Sequence, residues 1–269
     1  LYRGFDDFQV TTPHLLAATC PEYRRLITDS RLQSPAWSLS NAPEKNIDRE
    51  IQQLRHWLAQ DHSLISKMIA NAMLAEKLQL TALLVQQGKM PTLRLVPLTT
   101  AEKSFQAPLQ KEFAMMAHFF IDEQYRDGNE AASWIEEIQF RAGLKKHISV
   151  NRMLPLYQHY AQLAEQPVDA IEADQFHPDP ASMSEAIRNP IGNVLLETAS
   201  PDFKQYLLRL VHLDARMALL KQLEKTETDN PVNNPWTPGK EDTLTRRDKQ
   251  LCFRHAPDHD RYNSCLPLL

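Results

Sequence analysis

The densest chemistry in the chain lies near its C-terminus, where Cys252, His255, His259 and Cys265 are spaced C-x2-H-x3-H-x5-C. Two thiolates and two imidazoles make up the donor set of a tetrahedral zinc site. A zinc finger normally separates its two ligand pairs by about a dozen residues, so that a hairpin and helix can wrap the ion. That separation is missing here, and Asp258 and Asp260 give the stretch the look of an ordinary polar loop. Two cysteines so close in sequence can instead close a small loop as a disulfide. A Cys252–Cys265 bridge is the favoured expectation, with zinc on all four residues as the alternative. The third cysteine, Cys20, sits in an amphipathic pattern and is expected as a buried free thiol.

A second constellation is His118 and Asp122, which at i, i+4 share one helix face and suit an acid/base or ligand pair. The bland alternative is a hydrogen-bonded pair at the edge of an apolar stripe, and no third convergent group is evident in the sequence. Asp214 stands inside an apolar helical stripe, one turn from Leu210 and from Met217, so it is expected at least partly buried with a partner. Arg209, His212 and Arg216 lie nearby in sequence, and a partner on another helix serves equally well. His177-Pro178-Asp179-Pro180 has metal-ligand residue types, but its alternating prolines mainly specify extended backbone. No H-E-x-x-H, EF-hand or Ser/Cys nucleophile motif is found. The six glycines are too scattered for a G-x-G-x-x-G turn, a Walker loop or a G-x-S-x-G elbow. No cofactor is expected.

Residues 165–202 hold eight acids (Glu165, Asp169, Glu172, Asp174, Asp179, Glu185, Glu197, Asp202) against one base, Arg188. Acids in the first turns of short helices, where the macrodipole favours them, would account for this. An acidic docking surface is the competing reading.

The elements that must position these residues read as helix after helix divided by proline. Ile47, Ile51, Leu54 and Leu58 mark one face of a helix capped by Asn46. Residues 61–87 are apolar around most of their circumference, with Ser66–Lys67 and Glu76–Lys77 as polar breaks, as expected of a central helix stopped by Gly88. Further helices are expected at about 108–126, 131–140 and 151–166, with Lys145-Lys146-His147 as a break. Ser182 and Glu185 match a capping box, and Asn189-Pro190 ends that short helix. Ser200, Pro201 and a stripe through Phe203, Leu207, Leu210, Leu213 and Met217 define a long helix expected to be central. The expected fold is therefore all-α: an irregular multi-helix bundle over residues 1–228. A Pro/Asn-rich appendix, residues 229–269, should pack on it through Trp236 and Phe253, with a small β-hairpin around Arg246–Lys249.

The 269 residues suffice for a sizeable core without metal. Thirty Lys and Arg against 34 Asp and Glu leave a net charge of -4, which argues against nucleic acid as the main partner. No stretch free of charged residues approaches the roughly 20 needed to span a bilayer.

One passage resembles a group of proteobacterial cell-envelope proteins that carries no assigned activity. It runs through Arg188-Asn189-Pro190-Ile191-Gly192, Leu195-Leu196, Asp202-Phe203, Tyr206, Arg209, Leu213-Asp214-Ala215 and Asn234-Pro235. Leu64-Ile65-Ser66-Lys67-Met68-Ile69 and Tyr23-Arg24-Arg25-Leu26 are similar to two further shared stretches. Such proteins begin with a signal or anchor segment. The resemblance therefore implies an upstream segment ahead of Leu1 and a location in the periplasm, or at the inner membrane facing it. It brings no catalytic residues. Two functions are expected: a non-enzymatic binding or scaffold protein for a protein or lipid partner, or a hydrolase-like enzyme whose site draws on His118, Asp122 and Asp214.

Overall fold

The structure, a computed structural model, describes residues 23–60, 63–121, 142–199, 202–223, 231–255 and 264–269. The fold is mostly helical, with short strands confined, among the described residues, to the C-terminal part. The chain forms two compact units, neither continuous in sequence. The first takes the described residues of Phe105–Leu163 and Gln175–Phe203, and the second those of Cys20–Ser104, Ala164–Asp174 and Lys204–Leu269.

In the second unit, α1 (Tyr23–Ser38), α2 (Pro43–Gln60) and α3 (Leu64–Gln86) pack together. The stripe Ile47, Ile51, Leu54 and Leu58 is buried as its spacing requires. The helix starts at Pro43 rather than Asn46, because proline is well suited to a first turn whose N–H has no helical partner. Among the described residues α3 is the one helix long and apolar enough to cross a membrane, and half of that stretch is buried inside the protein. Its expected polar breaks are largely interior: Ser66, Lys67 and Lys77 are all buried. Lys67 Nζ donates to the Leu58 carbonyl at 2.6 Å. Lys77 Nζ reaches Glu50 at 3.0 Å, Ser34 Oγ at 2.6 Å and the Ser30 carbonyl at 3.1 Å, with its charge over the Trp37 ring. Buried ammonium groups persist only with such partners.

Gly88 adopts φ +67° at the end of α3, in the left-handed region that glycine enters without penalty. The extended stretch around Pro91 and Pro97 leads into α4 (Thr100–Lys103), a one-turn helix absent from the sequence reading, although Thr99 and Glu102 form a capping box. The long helix α10 (Phe203–Leu220) buries Leu207, Leu210 and Met217 to within 3% exposure, as its stripe demands. Ser200 and Pro201 lie outside the described residues.

The first unit contains α5 (Gln106–Ile121), α6 (Lys146–Leu163), α8 (Met183–Arg188) and α9 (Pro190–Ala199). Between the last α6 residues and α8 the chain passes through α7 (Val168–Ala173), which belongs to the second unit. Helix α6 begins five residues before the expected start, so Lys146 and His147 are helical rather than a break. The cause is long-range, since the Lys145 N–H donates to Asn189 Oδ1 at 2.6 Å, a cap from 44 residues away. Phe113, Tyr157, Tyr160 and Phe203 form tilted ring contacts in the interior, with centroids 5.1–5.6 Å apart. The segment 131–140 lies outside the described residues.

The C-terminal residues build two small antiparallel sheets in the second unit. β1 (Val232–Asn233) pairs with β2 (Glu241–Asp242), and β3 (Leu244–Arg247), β4 (Gln250–Phe253) and β5 (Leu266–Pro267) form a meander. The β3–β4 turn is only Asp248–Lys249, with φ 45° and 60°. Two positive φ values match the twist of a two-residue hairpin loop, and these residues reach them without glycine. Trp236 and Phe253 are buried. β5 packs against α3, where Gln86 Nε2 donates to the Pro267 carbonyl at 2.8 Å.

Cys252 on β4 and Cys265, just before β5, form a disulfide with a Cα–Cα distance of 4.5 Å. Cys20 lies outside the described residues. Titration of denatured, unreduced protein is expected to find one reactive thiol per chain, Cys20. Three thiols would show that the bridge does not form in solution.

Candidate functional site

Asn189 anchors the surface formed by α8 and α9 in the first unit. It is completely buried between α8 and α9. Its Oδ1 accepts the Lys145 N–H, and its Nδ2 donates to Ser149 Oγ at 3.0 Å. Gly192, one turn into α9, makes this approach feasible: a Cβ there would stand 2.1 Å from Ser149 Oγ and 2.4 Å from Asn189 Nδ2. Arg152 on α6 extends the mount, bonding Asn193 Oδ1 through Nη1 and the Asp179 carbonyl through Nη2 at 3.1 Å. Asn193 Nδ2 in turn donates to the Glu185 carbonyl at 3.3 Å.

Helix α8 is closed at its N-terminus by the expected capping box. Ser182 Oγ accepts the Glu185 N–H at 3.3 Å, and Glu185 Oε2 accepts from the Ser182 N–H at 2.9 Å and its hydroxyl at 2.7 Å. Those bonds hold the Glu185 carboxyl below its ordinary range. Yet α8 buries none of its residues. Met183 is 82% exposed and Ile187, one turn on, 74%, and Val194 on α9 is 59% exposed. An apolar helix face held in place by polar bonds and exposed among the described residues is a candidate docking surface.

The expected site residues fall elsewhere. His118, on α5, is half-buried with no bonding partner for its Nε2, and Asp122 lies outside the described residues. Asp214 is 5% exposed and belongs to the second unit. Its partners come from distant segments: the Leu98 N–H donates to Oδ1 at 2.7 Å, and Lys103 Nζ bonds Oδ2. Burial pushes its carboxyl up, against the pull of Lys103 and the Leu98 N–H. Beside it Arg55 Nε and Nη2 grip Glu102 at 2.6 and 2.8 Å, and the guanidinium also donates to the Val96 and Pro97 carbonyls. Burial opposes the charge of Glu102, but the bonds from Arg55 and Thr99 outweigh it and hold its carboxyl below the ordinary range. The cluster fastens the 91–99 connection, and both Asp214 oxygens are engaged in doing so.

The bridge between Cys252 and Cys265 consumes both thiolates of the alternative zinc set, and His259 lies outside the described residues. His255 instead places Nδ1 2.7 Å from Asp242 Oδ1, with most of its ring exposed. Asp242 also accepts from Asn234 Nδ2 at 2.8 Å and the Thr243 N–H at 2.7 Å. A neighbouring trio, His212, Ser264 and Trp236, was not anticipated. Ser264 Oγ lies 2.7 Å from both His212 Nδ1 and Trp236 Nε1, and all three residues are buried. This seals the appendix against α10. Of the eight acids in 165–202, Asp169 and Glu185 occupy first turns, whereas Glu197 sits in the last turn of α9 and Asp179 on an exposed loop. The macrodipole therefore explains only part of the acidic bias.

Replacing Gly192 with Ala should lower stability by about 1–3 kcal/mol, because the new methyl overlaps a buried, bonded hydroxyl and carboxamide. Urea unfolding measures it, and unchanged stability would show that α9 does not approach α6 this closely. For Glu102, a folded-state value below the ordinary 4.5 means that its contribution is fully present above that pH and is lost as pH falls through the depressed value. Glu102→Gln should therefore cost about 3 kcal/mol at neutral pH, by leaving the Arg55 charge uncompensated, and should flatten the acid limb of the stability curve. An unchanged acid limb would contradict this. The chain matches no family model, no curated protein and no solved structure.

Proposed function

We propose that the chain is a non-enzymatic helical protein of the cell envelope that binds a protein partner through the exposed faces of α8 and α9. The observation that carries this reading is that α8 contributes no buried residue and is nevertheless held by a capping box, a buried Asn189 at its C-terminus and the Asn193 bond to the Glu185 carbonyl. A solvated connection would need none of these. Helices that pack only for stability bury a stripe, as α2 and α10 do. Location in the periplasm, or at the inner membrane facing it, draws support from the disulfide, which persists in oxidising compartments, and from the resemblance over residues 188–235. The structural engagement of both Asp214 oxygens supports the binding reading over the enzymatic one.

Photo-crosslinking in intact cells tests this. A photoreactive side chain at Met183 or Ile187 is expected to yield a discrete protein adduct in the envelope fraction, and one at exposed Lys111 none. Equal labelling from all three positions, or recovery of the chain only from the cytoplasm, would overturn the reading.

A further inference from the structure

We draw no further inference here: the strongest candidate, the exposed His255 imidazole held through Nδ1 by the buried Asp242 carboxylate just after β4 in the second unit, carries nothing, because no group of three metal-ligating side chains forms there among the described residues and nothing in the structure shows what the imidazole would meet.

Discussion

Each unit depends on the same constraint: polar groups enclosed by packed helices must find partners, and here most of those partners are remote in sequence. Asn189 is the clearest case. Its carboxamide caps α6 through Lys145 and bonds Ser149, while Gly192 leaves the room that this requires. An unmatched amide in that position would carry a desolvation cost of a few kcal/mol, a large part of a domain's net stability. The geometry of α8 and α9 against α6 follows from satisfying it.

The second unit solves the same problem with charge. Arg55, Glu102, Lys103 and Asp214 join α2, α4 and α10 and fasten the connection that runs between α3 and α4. Lys67 and Lys77 do the same for α3, whose apolar circumference otherwise suits a fully enclosed helix. Such networks add little net stability over an apolar core of equal volume, but their geometry admits few alternatives, and loss of any one member strands the others. The appendix follows the same rule: Ser264 ties His212 to Trp236, and the disulfide joins β4 to the residue preceding β5.

Against this background α8 stands with α1, which buries Ser30 alone: both leave apolar residues exposed while polar bonds hold them. In α2 and α10 the apolar residues supply the stability and the polar ones specificity. In α8 the polar residues alone hold the position, and the apolar ones face water. That inversion is the ground on which α8 is proposed as an interaction surface.

Local physics made much of the fold legible in the chain itself. The stripes of α2, α3 and α10, the Ser182–Glu185 capping box, the stop at Gly88, the hairpin near Asp248 and the pairing of Cys252 with Cys265 all rest on residues within one or two turns, or a short loop, of each other. The Thr99–Glu102 box is equally local, but the helix that it caps is a single turn with no apolar period to mark it. What the sequence could not reveal rests on contacts tens of residues apart. Asn189 caps α6 at the Lys145 N–H, Lys77 is interior because Ser30 and Ser34 receive it, and Asp214 serves Leu98 and Lys103. The exposed face was hidden for the same reason. Periodicity says which residues share a side of a helix, but only tertiary packing decides whether that side is covered. Met183 and Ile187 are exposed although both are apolar and four residues apart.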